Sequence, residues 1–190
     1  MARTFDRIDW PVRTDRLTLR PATFADADAT WEFRHLPEVS LWITRAATDY
    51  DDYVRRFVEP DSIDLTLVIE LDGEIIGDLM LRVNDPWSQV EVRELAAGTQ
   101  AELGWSLHPD HGGKGYATEA VAAAMGVCFD QLGLRRVTAE CFAENEASWR
   151  LMERLGMRRE SHTVKDSLHR DGEWRDGLLY AILDEEWRAR

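Results

Sequence analysis

Positive charge is scarce in this chain. Against 36 Asp and Glu stand only 23 Lys and Arg, a formal net charge of -13 over 190 residues. That balance excludes the basic footprint that sequence-independent nucleic-acid binding requires. Cysteine is scarcer still. Cys128 and Cys141 are the only two, they lie in apolar surroundings without CxxC spacing, and reduced buried thiols are expected rather than a disulfide framework. The five histidines (His35, His108, His111, His162 and His169) make no HxxxH or HExxH pattern, so no metal site is indicated. No run approaches the roughly 20 apolar residues of a membrane span. The start, MARTFDRIDW, lacks the apolar core of a signal peptide, and a cytoplasmic location is expected. Repeats and low-complexity segments are absent.

What remains is enough for one domain. The chain is 44% hydrophobic, sufficient for a substantial core, and a single domain over 1–190 with a core of about 14–187 is expected. The acidic surplus reads first as a solubilising surface, and it is also compatible with cationic amine substrates. For an anionic ligand it has a cost, because the site must gather local positive potential against an unfavourable global field.

Periodicity organises the rest. TDRLTLRPAT (14–23) alternates and reads as a first strand. Helices follow at 26–35 and 51–58, separated by an irregular stretch containing Trp42. LTLVIELDGEIIGDLMLRV (65–83) is a hairpin turning through Leu71-Asp72-Gly73-Glu74. After a polar connection with Trp87, AELGWSL (101–107) is a strand. Residues 116–131 carry a core-facing helical stripe stopped near Gly133. RRVTAECFA (135–143) is a strand. NEASWRLMERLGM (145–157) is a helix capped by Asn145 and ended by Gly156. Strands return at 158–165 and 177–183. The order β α α β β β α β α β β is an α/β mixture around one sheet.

Strand, glycine turn, helix is the chemically informative unit. DHGGKGYATE (110–119) opens a helix whose first N–H groups lack partners and whose dipole is positive at that end. Gly112, Gly113 and Gly115 leave room for a diphosphate to approach the amides, and Lys114 can add a point charge at the rim. A GxxxxGK[ST] loop fails because Gly115 follows Lys114, and GxGxxG is absent. Taken alone, the turn specifies an anion at a helix mouth or a merely flexible helix entry.

AELGWSLHPDHGGKGYATEA (101–120) and VTAECFAENEASWRLMERLGM (137–157) resemble the GCN5-related N-acetyltransferase (GNAT) family. The likeness is to its RimJ/RimL-type branch, whose members acetylate ribosomal-protein N-termini. TDRLTLRPAT and DGEWRDGLLYAILDEEW fit the same branch, so the resemblance covers nearly the whole chain from about Thr14. It implies a GNAT fold of the α+β type: a single mixed, mostly antiparallel sheet with a splayed centre, flanked by helices. A kink in strand 101–107 would open a wedge, with Trp105, Ser106 and Leu107 meeting the pantetheine arm. The pyrophosphate would rest on Gly112, Gly113, Lys114, Gly115, Tyr116 and Ala117, with Thr118 nearby. The family loop Q/R-x-x-G-x-G/A is departed from at Asp110, and Gly112 replaces a residue that is often bulky.

The resemblance also implies direct attack of an amine on acetyl-CoA, with no metal. A covalent cysteine route is not expected, since no pattern depresses either thiol pKa. Three carboxylates compete as general base: Glu102, Glu160 and Glu140. The family's helix tyrosine, which protonates the thiolate, falls here on Met152, which cannot donate. Ser148, one turn earlier, matches the branch's serine, although a helix-start serine can also bond back to Asn145. Asn145 would meet the pantetheine or a water. Arg154, and less specifically Arg150, could reach the adenosine 3′-phosphate. Trp31, Phe33, Trp42 and Trp87 are acceptor-side liners or ordinary core. The partners expected are acetyl-CoA and an amine acceptor, either a protein or peptide N-terminus or a small molecule (amino acid, polyamine or antibiotic). A catalytically idle acyl-CoA-binding module is the other class. Nucleic acid and membrane are not expected as partners, and a monomer or homodimer is.

Overall fold

The computed structural model describes residues 4–190. Residues 1–3, which open both the single-domain span and the leader reading, lie outside them. Eight strands form one sheet: β1 (Val12–Arg13), β2 (Leu17–Pro21), β3 (Thr66–Leu71), β4 (Glu74–Asn84), β5 (Gln100–Leu107), β6 (Arg136–Phe142), β7 (Arg158–Leu168) and β8 (Trp174–Leu183). Their order is β1-β2-β3-β4-β5-β6-β8-β7. Every neighbouring pair is antiparallel except β5 with β6. The β3–β4 turn puts Asp72 at φ 53° and Gly73 at φ 89°, the paired left-handed residues that match a hairpin's twist.

The helices are α1 (Ala27–Arg34), α2 (Pro37–Ser40), α3 (Tyr50–Phe57), α4 (Pro60–Ile63), α5 (Arg93–Ala96), α6 (Tyr116–Gly126), α7 (Glu146–Arg154) and α8 (Asp184–Arg188). The long elements follow the order read from the sequence. β1 and the short helices α2, α4, α5 and α8 are absent from that order, because two to five residues complete no recognisable period. The stripe over 116–131 is α6 continued by a π turn, Val127–Gln131, and Gly133 stops it at φ 66°.

Strand alternation sorts side chains to two faces. Ala101 and Leu103 of β5, Leu79 and Leu81 of β4 and Val137 and Ala139 of β6 share one core with Val121, Ala124 and Met125 of α6 and Leu151 and Met152 of α7. Each fully buried large side chain there contributes roughly 1.5–3 kcal/mol. On the opposite face a smaller core joins Val68 of β3 to Phe57 of α3 and Ile63 of α4, and α1 is tied to β4 by the Arg34–Asp78 ion pair.

The centre of the sheet is split. β5 and β6 are paired only at Gln100–Arg136, Ala101–Val137 and Glu102–Thr138. From there β5 stays with β4 as far as Leu107, while β6 stays with β8 as far as Phe142. The β4–β5 register runs unbroken from Asn84–Gln100 to Gly77–Leu107. The wedge opens where β6 diverges from β5, with no register shift between β5 and β4. The sheet's register shifts lie elsewhere, in β3–β4 and β7–β8.

Gly77 permits the close approach of β4 to the end of β5. A Cβ built there would lie 2.5 Å from the Ser106 carbonyl oxygen and 3.2 Å from the Leu107 Cα, and backbone cannot swing aside. Gly77→Ala is expected to destabilise the fold by about 1–3 kcal/mol, the usual cost of overpacking. Urea unfolding measures it; an unchanged midpoint would contradict the tight approach.

Candidate active site

The open edge of β5 supplies the first part of the site. Arg135 N–H donates to the Thr99 carbonyl at 2.9 Å, and the Thr138 hydroxyl donates to the Ala101 carbonyl at 3.3 Å. Odd-numbered residues thus turn their backbone groups toward β6. By the two-residue alternation, Leu103, Trp105 and Leu107 present theirs to the wedge, where no strand pairs with them. Trp105 and Leu107 are where the sequence reading places donor contacts. The Ser106 backbone instead faces β4. Its side chain is buried on the α1 face, and its Oγ has no hydrogen-bond partner among the described residues.

β5 leads into the second part. The segment Pro109–His111 makes a 3₁₀ turn, Gly113 and Gly115 adopt φ 71° and 83°, and α6 begins at Tyr116. Those two positions need glycine, whereas Gly112, at φ -65° and ψ 155°, does not need it for its backbone. The first helical bond is from Glu119 N–H to the Gly115 carbonyl, and Gly112 N–H is taken by Pro109. Among the described residues nothing accepts from the N–H groups of Gly113, Lys114, Gly115, Tyr116, Ala117 and Thr118. Six successive unpaired donors at a helix N-terminus form a nest of the kind that can receive an anion.

Lys114 is not poised over that nest. Its Nζ donates back to the Asp110 carbonyl at 2.9 Å. The cation at the turn is one that sequence reading missed, Arg16. It donates to the Lys114 carbonyl at 3.0 Å, bonds Glu119 of α6 through Nε at 2.7 Å, and lies 4.5 Å from the centre of the Tyr116 ring. The only sequence signal was its place in TDRL, 98 residues before the loop carbonyl it meets.

Helix α7 follows β6 and packs against α6, β6, β7 and β8. Asn145 caps it, its Oδ1 accepting from Ser148 N–H at 3.3 Å. The bond runs from the serine's backbone to the asparagine, so the Ser148 hydroxyl is not consumed by it. Met152, where the family tyrosine would fall, is buried in the core. Arg150 is engaged by Glu146 at 2.8 Å and stacks on Trp149; Arg154 is exposed.

The three glutamates separate clearly. Glu102 stands on the α1 face of β5 where the split begins, 3.3 Å from Arg82. Glu140 is on the same face of β6, within the opened part. Burial, then the negative charges of Glu102 and Asp166, raise its carboxyl above the usual range. Glu160 is held by Arg136 at 2.9 Å and Arg158 at 2.7 Å. Hydrogen bonds from Arg136, and against the cost of burial those from Arg158, keep its carboxyl down at about 2. Burial raises the Cys128 and Cys141 thiols to about 12 and about 11, which leaves them poor nucleophiles.

Beyond Glu140 an aromatic group covers the α1 side. Trp42 lies 5.8 Å from Phe142 and 5.5 Å from His169. The β7–β8 turn grips its flanks, with His169 Nε2 3.0 Å from the Leu41 carbonyl and Arg170 bonded to that of Ile43. Of the other expected liners, Trp31 packs against His35, Tyr50 and Tyr53, Phe33 is fully buried, and Trp87 is 90% exposed.

A split sheet whose free strand edge runs into an amide nest is the framework of an acyl-CoA-dependent transferase, and comparison with known proteins agrees. The Acetyltransferase (GNAT) domain family matches residues 16–158. The uncharacterized N-acetyltransferase YnaD of Bacillus subtilis is 30% identical over 180 residues, 93% of this chain and 98% of that one. The ribosomal protein uS5-alanine N-acetyltransferase of Escherichia coli is 35% identical over 85 residues, 45% of this chain and 43% of its own. The solved structure of Mycobacterium smegmatis RimJ in complex with CoA-disulfide superposes with a TM-score of 0.71 at 27% identity, covering 90% of this chain and 83% of that one. The chain belongs to the GNAT acetyltransferase family. It is an N-acetyltransferase and its acyl donor is acetyl-CoA. Among the described residues no group of three or more His, Cys, Asp or Glu could hold a metal ion, and no helix is long and apolar enough to cross a membrane.

Glu160 gives a test of the ion-pair assignment. Its folded-state value of about 2 lies below the roughly 4.3 of an unfolded glutamate. The stability it contributes is therefore present above about pH 4.3 and lost as pH falls toward 2. The difference in unfolding free energy between the parent and Glu160→Gln should be constant above about pH 5 and shrink on acidification. Urea titrations at several pH values check this, and a difference independent of pH would contradict the assignment.

Proposed function

We propose that the protein acetylates a primary amine at a protein or peptide N-terminus, with Glu102 as general base and Ser148 as general acid. The observation that carries the donor half is the continuity of the free β5 edge, at Trp105 and Leu107, with the unpaired amides of residues 113–118. Pantetheine amides pair with the first, the diphosphate sits on the second, and the thioester reaches the split beside Glu102. Thr118 closes the nest, while Asn145 and exposed Arg154 flank the donor from α7.

Chemistry then follows from position. The acceptor reaches the carbonyl from the α1 face, where Glu102 and Glu140 concentrate negative charge and favour a cationic amine. Glu102 first takes a proton from the ammonium acceptor and passes it to solvent; the neutral nitrogen then attacks, the C–N bond forms, Glu102 takes the second nitrogen proton and the C–S bond breaks. The departing thiolate takes the proton of the Ser148 hydroxyl, which solvent restores to the serine oxygen. Glu140 faces Glu102 as an electrostatic partner, and Glu160, fixed by two arginines, is left outside the proton path. The likeness to the uS5-alanine acetyltransferase favours a peptide N-terminus as acceptor. An acceptor screen read by mass spectrometry, with ribosomal-protein N-terminal peptides beside polyamines and amino acids, tests it. Acetylation of small amines alone would overturn the peptide reading.

Two variants test the roles. Glu102→Gln should lower kcat by about 100-fold or more, the scale of a positioned base. Glu140→Gln should lower it far less; the reverse outcome would move the base to Glu140. Ser148→Ala should lower kcat by about 10–100-fold with little change in acetyl-CoA affinity, measured by thiol release and calorimetry. An unchanged rate would remove its acid role.

A further inference from the structure

We infer that Arg16 is a positioning residue for donor binding, neutralising a carboxylate built into the first turn of the diphosphate-binding helix. Glu119 lies one turn into α6, with its negative charge where the helix dipole and the unpaired amides would otherwise act on the diphosphate alone. A carboxylate there competes with an anionic ligand for the same positive end. In a chain with a net charge of -13 there is little surrounding cation to offset it.

The N-terminal segment answers that charge directly. The Thr14 hydroxyl donates to Glu119 Oε1 at 2.6 Å, Arg16 N–H donates to the same oxygen at 3.0 Å, and the Arg16 guanidinium reaches Oε2 through Nε at 2.7 Å and Nη2 at 2.6 Å. Although burial opposes it, hydrogen bonds from Thr14 and Arg16 hold the Glu119 carboxyl below the usual range. The remaining nitrogen, Nη1, holds the Lys114 carbonyl at 3.0 Å. That contact keeps a carbonyl dipole on the outer side of the turn while the amides of residues 113–118 face the ligand. A Cβ at Gly115 would come within 3.4 Å of Nη2, so the guanidinium lies against the back of the turn. Its side chain is 44% exposed and that of Glu119 only 18%. An unpaired Glu119 would therefore be a poorly hydrated charge beneath the nest.

The inference rests on the diphosphate site proposed above, and the experiment separates the two. CoA affinity is measured by calorimetry at low salt for the full chain and its variants. Arg16→Gln should weaken binding by about tenfold or more, since one uncompensated charge near the site is worth on that order. Arg16→Lys, which keeps the charge, should remain within about threefold of the parent. The double variant Arg16→Gln with Glu119→Gln should recover most of the loss, because the offending charge leaves with its partner. A double variant as weak as Arg16→Gln alone would overturn the inference and make Arg16 a direct phosphate ligand. Undiminished binding by Arg16→Gln would overturn it as well. Should Arg16→Gln fail to fold, Glu119→Gln alone decides: affinity within about threefold of the parent supports the inference, and a tenfold loss contradicts it. Gly115→Glu is the control for the site itself. Binding that survives it would overturn the diphosphate assignment, whereas its loss together with an insensitive Arg16 would overturn only the present inference.

Discussion

Beyond Glu102 and Thr138 the two central strands part, and backbone groups that a closed sheet would pair are left facing a gap. N–H and C=O groups without partners are costly, so such an edge suits a ligand that can replace a strand. In the proposed donor mode the amides of pantetheine do so. The same divergence leaves Glu102 where the split begins and Glu140 within the opened part of β6. The proposed donor mode and proton path both depend on it.

The electrostatics solve the problem posed by the composition. In the proposed donor mode an acidic chain binds an anionic donor with backbone amides and a helix dipole rather than with a cluster of lysines. The nearest lysine, Lys114, bonds back to its own turn, and the nearby arginine, Arg16, is matched to Glu119. Positive potential is thus local and of fixed geometry. On the other side of the sheet Glu102, which Arg82 partly offsets, and Glu140 face each other, and in the proposed reaction a cationic amine arrives there. One net charge therefore has opposite consequences on the two faces of the wedge.

Much of this was legible in the sequence because it depends on local chemistry. Gly113 and Gly115 mark left-handed positions, Asn145 and Gly156 bound a helix, and Asp72-Gly73 turns a hairpin. What was not legible depends on contacts between distant segments. The sequence shows Glu102, Glu140 and Glu160 as equivalent strand carboxylates; only the fold reveals that Arg136 and Arg158 hold Glu160 and that Arg82 pairs with Glu102. Arg16 reads as an ordinary charge beside a strand until α6 is folded against it. The wedge carries no bulge that a pattern could betray, since its origin is the departure of β6 toward β8. The grip of His169 and Arg170 on residues 41–43 likewise joins segments more than 120 positions apart.

In the proposed donor mode one continuous surface, the β5 edge and the amide nest, receives acetyl-CoA. Residue-resolved amide hydrogen exchange with and without CoA is the test. Exchange should slow at Gly113 to Thr118 and at Trp105 and Leu107, with Gly104 and Ser106, already facing β4, little changed. Saturating CoA that leaves the 113–118 amides exchanging as freely as before would contradict it.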